Sequence, residues 1–385
     1  MILAPFNAIR PQPHNMRSWV NRQLGDSFGE NKDVLDFLSL IQPHSGKTPE
    51  IRKRLHTFLR QGVLVRDPSP SIYLLQIQTG DSKSLGFVGS VQTGRLSTGE
   101  IKAHEDVENN RVETFKEYLK ITQLNAEPVV LCHHPNKELE DICYQFTNSL
   151  PFAEFKRKEI DYKLWRIDHP ILIDRINKAL KSIRSLYIAD GHHRCFSSLS
   201  YSKEDKTKDQ FLAILLPHDQ LQIDHFCRMF STLNEMRIDH FVAKLSNNFN
   251  VKRLSSYKAP QSILEFSMYI GGSWFWLTSK RSDTTTPTLN RIPTNIIYED
   301  IAKPLLSIQN LQKDKRIAYR HYENPSQQIK EDVDKSEYVL GIQHYPIPFK
   351  DIITTVEDSD LLPPKSTHFR PKPLHGMLIF DFLTQ

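Results

Sequence analysis

Hydrophobic positions recur along this chain with two periods, close to 3.6 residues in some stretches and two or an unbroken apolar run in others. Residues 49–60, PEIRKRLHTFLR, place Ile51, Leu55, Phe58 and Leu59 on one face of a basic helix opened by proline. Residues 71–77 and 84–92 read as two strands joined by the turn QTGDSK. The apolar run at 34–41 fits strand or helix equally. Further on, helices are predicted over 111–119, 137–150 and 170–182, and strands over 128–133, 162–167, 186–189 and 211–216. Alternation of strand and helix from about 128 to 230 predicts an α/β unit. Beyond it the pattern predicts strand-like SWFWLTS, a polar TTTPT loop, a helix over 296–311, and a strand–helix pair at 338–342 and 352–356. A Pro- and Lys-rich tail ends in an apolar strand that should dock.

The division expected from these patterns has four parts: a mainly sheet region at 1–100, an α/β core at 101–230, an accessory α/β domain at 231–345 and a C-terminal segment at 346–385. The fold class is α/β in the broad sense, α+β, with mixed sheets. A length of 385 residues fits two or three domains. The formal charge of +5, from 50 Lys and Arg against 45 Asp and Glu, leaves no electrostatic case for a dedicated nucleic-acid binder. Only the basic helix at 49–60 would speak for one. Cys132, Cys143, Cys195 and Cys227 lack zinc-site spacing and are too few for a disulfide scaffold. With no apolar span of membrane length, the expectation is a soluble, cytoplasmic protein that does not engage membranes.

Glycine placement narrows the search for chemistry. Of 14 glycines, one alone, Gly191, lies between Gly99 and Gly271, and it sits inside ADGHHR, residues 189–194. A strand turning at Asp190 and Gly191 into a helix would offer backbone N–H groups to phosphate. His192, His193 and Arg194 add donors, and Asp190 adds a carboxylate that could take a hydroxyl proton or hold Mg²⁺. The plainer alternative is an Asp190 that merely caps the helix. In AHEDVENNR, His104, Glu105 and Arg111 offer a base, an acid and an anion contact, though a solvated helix start reads the same way. In LPPKSTHFRPKP, Lys365, Ser366 and Thr367 are donors for phosphate or carboxylate, without the glycines of a P-loop. Cys132-His133-His134 reads better as a buried strand end than as a metal site, and Cys195 as packing rather than as a reactive thiol.

Taken together these strings resemble domain-of-unknown-function family 1015 of bacteria and archaea along nearly the whole chain. The resemblance rests on Pro5-Phe6, Arg10-Pro11, Asp67, Tyr73, Lys102, His104, Glu105 and Arg111. It continues through Tyr187 to Arg194 and Pro363 to Thr367, with Phe369, Lys372 and Gly376. The family's Pro-Tyr-Asp is replaced here by PHNMRSW, and its Pro-His-Glu-Lys-Thr by Ala103 to Val107. Over the middle third, the strand–Asp-Gly-His-His-Arg–helix turn is similar to that of the ParB/sulfiredoxin superfamily, which includes kinases of free L-serine. The resemblance implies a ParB/sulfiredoxin-like nucleotide-binding core. It also implies a phosphoryl-transfer enzyme using ATP, ADP or pyrophosphate with Mg²⁺ to act on L-serine or a similar small hydroxyl metabolite. Catalysis would rest on Asp190, Glu105 and His193. Phosphate binding would fall to Gly191, His192, Arg194, His104, Arg111, Lys365, Ser366 and Thr367. The alternative is a nucleotide-binding regulatory module without turnover, which the changed His-Glu element would permit.

Overall fold

The structure is a computed structural model and describes residues 1–16, 50–224, 226–282, 284 and 288–384. The apolar run at 34–41 and most of the TTTPT loop lie outside the described residues. The chain divides into two compact units. The first comprises residues 1–102, 107–222 and 371–385, and the second residues 103–106 and 223–370.

The first unit is built on eight strands: β1 (Ile72–Thr79), β2 (Ser82–Gln92), β3 (Ile101–Lys102), β4 (Val129–His133), β5 (Ala153–Arg157), β6 (Ile160–Ile167), β7 (Leu186–Asp190) and β8 (Gln210–Pro217). Their order in the sheet is β3-β7-β4-β8-β2-β1-β6-β5. Pairing is mixed, with β8 parallel to β4, β3 parallel to β7, and the other neighbours antiparallel. The alternating AEFKR of β5, missed in the sequence pattern, is an edge strand. Close approach explains a glycine in β2, since a Cβ on Gly86 would lie 2.6 Å from Cγ1 of Ile214 on β8.

Among the described residues, the longer helices of this unit are α1 (Glu50–Arg60), α2 (Asn109–Thr122), α3 (Lys137–Thr147), α4 (Pro170–Lys181) and α5 (His192–Glu204). α1 buries Ile51, Leu55 and Phe58, as its spacing requires, and its Arg52 is tied to Asp381 at 2.6 Å. The tail docks inside the unit, where Phe380–Asp381 pairs with Leu124–Asn125. Signature residues Arg10, Asp67 and Tyr73 form one network. Asp67 is 2% exposed and accepts from Arg10 at 2.7 Å and from the Tyr73 hydroxyl at 2.5 Å. A buried carboxylate needs such partners, because desolvation without them costs several kcal/mol, at least ~2.

The second unit has a six-stranded antiparallel sheet made of β9 (Cys227–Phe230), β10 (Phe249–Leu254), β11 (Glu265–Ile270), β12 (Ser273–Ser279), β13 (Ile317–Arg320) and β14 (Leu340–His344), in the order β10-β12-β11-β14-β9-β13. Phe230, Phe241, Phe249 and Phe266 join Ile296 and Ile301 in its core. The single helix expected over 296–311 is instead broken into Pro293–Ile297, a wider π-type turn at Tyr298–Ala302, and Lys303–Leu306. Pro304 has no N–H to return to the carbonyl of residue 300, which opens the turn ahead of it. Ser307, at φ 55°, then ends the helix.

Candidate functional site

In the first unit the site grows from the end of β7. The β7–β4 register shifts between Ile188 and Asp190, a bulge beyond which Asp190 still pairs with Val130 as the last residue of β7. Gly191 follows at φ 94°, a conformation glycine adopts freely and other residues rarely. It stands at the N-cap of α5 and has no side chain with which to cap that helix. Asp190 is the residue before that N-cap. It lies between two cations, its Oδ2 accepting from Nη2 of Arg194 at 2.5 Å and its Oδ1 lying 3.2 Å from Nζ of Lys372. Arg194 also donates to the Pro128 carbonyl at 2.6 Å and lies 3.3 Å from Glu127. Its guanidinium covers Gly191 so closely that an added Cβ would sit 3.0 Å from Cζ.

Two helix starts meet at this turn. The first bond inside α5 runs from the Cys195 N–H to the Gly191 carbonyl, so the N–H groups of the preceding residues have no carbonyl within the helix. Nε2 of His193 accepts the backbone N–H of Glu108 at 3.2 Å, and Glu108 is the residue just before α2. At the far ends, Glu204 of α5 holds Lys116 at 2.9 Å and Lys120 at 3.0 Å, both from α2. The helices thus run parallel, with like ends together. Each helix start carries roughly half a positive charge. Side-by-side like ends repel one another, and an anion placed at the paired starts relieves that repulsion. Arg111, half-buried, is in the first turn of α2, and His192 is buried in the first turn of α5.

The second unit gathers His104, Glu105 and the 365–367 segment. His104 is 2% exposed, and its Nε2 lies 3.0 Å from Oγ1 of Thr367. Its carbonyl accepts the Leu362 N–H at 2.8 Å, and Glu105 bridges to Leu362 in parallel fashion. Lys365 is exposed at φ 55°. Ser366 is buried and spent on the loop itself, donating to the Pro363 carbonyl at 2.5 Å and lying 2.7 Å from Oγ1 of Thr294. Beneath the loop runs Arg228, a buried guanidinium that donates to the carbonyls of Phe226 at 3.0 Å and Pro364 at 3.3 Å. It also reaches Nε2 of His344 at 3.4 Å and lies 5.0 Å over the Tyr319 ring. Burial pushes this guanidinium down to about 10, against the opposing fields of Tyr319, Cys227 and Glu105.

The predicted residues thus divide between the units. Asp190, Gly191, His192, His193, Arg194 and Arg111 belong to the first, and His104, Glu105, Lys365, Ser366 and Thr367 to the second. Sequence reasoning passed over Glu108, Glu127, Arg228 and His344. Lys372 it noted only as part of a signature. Arg228 lies in CRMF, a short run that carries no site motif, and Glu108 is 85 residues from its partner. Cys195 is buried, and burial pushes its thiol up to about 12. His133 ends β4 and is buried. Among the described residues, no group of three or more His, Cys, Asp or Glu is placed to hold a metal ion, and no helix is long and apolar enough to cross a membrane.

These features define a mixed α/β protein with a glycine turn between strand and helix at its candidate site. Residues 3–297 match the family described as "Protein of unknown function (DUF1015)", and the chain belongs to that family. No curated protein matches the sequence. Among solved structures the chain is similar to a free serine kinase in complex with AMP, at 13% identity and TM-score 0.40, over 75% of this chain and 91% of that one. It is also similar to a conserved hypothetical protein from Pyrococcus furiosus, at 12% identity and TM-score 0.39, over 77% and 96% of the two chains. SbnI with a C-terminal truncation, from Staphylococcus aureus, is similar at 12% identity and TM-score 0.41, over 75% and 85%.

Proposed function

We propose that this protein is a nucleotide-dependent phosphotransferase acting on a small hydroxyl metabolite, with free L-serine the first substrate to test. The observation that carries the reading is the pairing of two parallel helix starts through His193 and Glu108 beside the Gly191 turn. That arrangement suits a phosphate group, held by backbone N–H groups and by two positive helix ends. Serine as the acceptor follows from the resemblance of the turn to the free-serine kinases of the ParB/sulfiredoxin superfamily.

In the reaction proposed, the hydroxyl oxygen forms a bond to the terminal phosphorus of the donor, and the bond from that phosphorus to the leaving phosphate breaks. Asp190 takes the hydroxyl proton. Arg194 and Lys372, the cations on either side of it, carry charge on the transferring group. Most of the catalysis in phosphoryl transfer is positioning and charge stabilisation, which such a set can supply. An Mg²⁺ ion arriving on the nucleotide would add charge neutralisation, with Asp190 the carboxylate the turn offers it. In the second unit, Lys365 and Thr367 are donors for an anionic group, while Ser366 fixes their loop.

The test is incubation of the full chain with L-serine, Mg²⁺ or Mn²⁺, and ATP, ADP or pyrophosphate, followed by detection of phosphoserine by mass spectrometry. Phosphoserine from one donor is expected, and none from any donor removes the kinase reading. Because Asp190 already lies between two cations, calorimetric nucleotide binding without product would favour the regulatory module.

A further inference from the structure

A cavity in the first unit lies away from the Gly191 turn. It has a volume of about 170 Å³ and is enclosed by α3 and by strands β2, β4 and β8. Two of its lining residues, His133 and Pro217, are register partners, whereas Asp190 pairs with Val130 at the other end of β4. Three strand residues, about 10 Å, separate those two levels of the sheet.

The walls are mostly apolar. Leu85 and Phe87 come from β2, Leu215 from β8, and Leu139 and Cys143 from α3. Two polar neighbours are already committed to the fold. Asn136 caps α3 by accepting the Leu139 N–H at 3.1 Å, and the side chain of Gln220 accepts the Leu85 N–H at 2.7 Å. Lys83 and Glu140, both exposed, place opposite charges on the lining. Both fields reach the Cys143 thiol: burial pushes it up to about 12, Lys83 draws it down and Glu140 raises it. His133 is 2% exposed and turns Nδ1 to the His134 carbonyl at 2.7 Å, which leaves Nε2 as its acceptor.

We infer that this cavity is a binding site for a free α-amino acid with an aliphatic or aromatic side chain. A cavity of about 150 Å³ lined by aliphatic and aromatic residues takes up benzene, so the space here fits a leucine, isoleucine or phenylalanine side chain. Lys83 receives the carboxylate and Glu140 the ammonium group. A fatty acid or a simple amine would satisfy only one of those charges, and serine would leave the apolar walls bare. The site is separate from the Gly191 turn and does not rest on the phosphotransfer reading.

The experiment is calorimetric titration of the full chain with L-phenylalanine and L-leucine, with L-serine and 3-phenylpropionate as comparisons. Saturable binding of the apolar amino acids with dissociation constants of about 10⁻⁴–10⁻³ M is expected for ligands of this size, with the comparison ligands at least tenfold weaker. The double variant Lys83→Met/Glu140→Gln changes only exposed side chains and should weaken L-phenylalanine at least tenfold. Cys143→Phe, which fills the cavity, should abolish binding. Absence of saturable binding to the unmodified chain, or L-phenylalanine affinity unchanged in the double variant, would overturn the assignment.

Discussion

Nε2 of His193 accepts the Glu108 backbone N–H at 3.2 Å, so one side chain from α5 holds the start of α2 beside its own. In His193→Ala this tie is lost. The net value of one such hydrogen bond is about 1 kcal/mol, so the fold should survive with a small drop in melting temperature. Nucleotide affinity measured by calorimetry should fall at least tenfold, because the two positive helix ends are no longer held together. If stability drops while affinity stays constant, the helix pairing is structural only.

Gly191→Ala tests the turn. Its φ of 94° disfavours any side chain, and the new Cβ would press on the Arg194 guanidinium at 3.0 Å. Strain of this kind costs about 1–3 kcal/mol. The variant should unfold at lower urea concentration and lose phosphate binding, since Arg194 must move and β7 must enter α5 along another path. Unchanged midpoint and affinity together would show that the turn is not under constraint.

Asp190→Asn separates binding from transfer. Arg194 and Lys372 now spend their charge on the Asp190 carboxylate. Neutralising that carboxylate loosens its hold on both cations, so nucleotide without Mg²⁺ should bind more tightly, by several-fold, while phosphoserine formation is lost with the proton acceptor. Titration calorimetry and a single-turnover assay read the two effects independently. Tighter binding with undiminished turnover would move the proton acceptor elsewhere.

Arg228 is the polar centre of the second unit. Arg228→Met removes the guanidinium that donates to the carbonyls of Phe226 and Pro364 and reaches Nε2 of His344. A buried carbonyl orphaned in this way costs about 1–3 kcal/mol when nothing replaces the bond, so the two carbonyls together predict a loss of about 2–6 kcal/mol in urea unfolding. Arg228→Lys should recover only part of it, since one ammonium group cannot span all three acceptors. Hydrogen exchange should also rise in the 362–367 loop, which the guanidinium pins through Pro364. Wild-type exchange in that loop would argue that Arg228 supports the sheet alone.

What could be read from the sequence follows from how local each signal is. The buried runs of β1, β4 and β8 stood out because both faces are apolar, and α4 because its apolar face repeats cleanly. β3, β5, β9, β10, β11 and β13 escaped the pattern, and β3, β5, β10 and β13 of these are edge strands. The interruption at Pro304 was visible in the residues but was outweighed by the apolar spacing on either side. At the site, Gly191 was legible because glycine is so scarce around it. The partners of that turn were not, because Glu108, Glu127 and Lys372 reach it across long stretches of chain. Ser366 shows the opposite difficulty: its type and neighbours suggest a ligand donor, and only burial shows its hydroxyl turned inward.

Acid should weaken the first unit through His133, which is buried, and His218 and His375, which are half-buried. Burial holds the folded-state pKa of His133 below its ordinary value of 6.5, with the bond to the His134 carbonyl opposing that shift. Burial lowers His218 and His375 as well. As pH falls through 6.5 the unfolded chain takes up these protons before the folded one does. The contribution of each group is therefore fully present above 6.5 and is lost progressively below it, with a slope of at most about 1.4 kcal/mol per pH unit per histidine. Urea unfolding at pH 7.5 and 5.5 should show the decrease. In His133→Asn, which retains a donor for the His134 carbonyl, the slope should be shallower by one group's share. An identical slope in the variant would place the pH sensitivity in other residues.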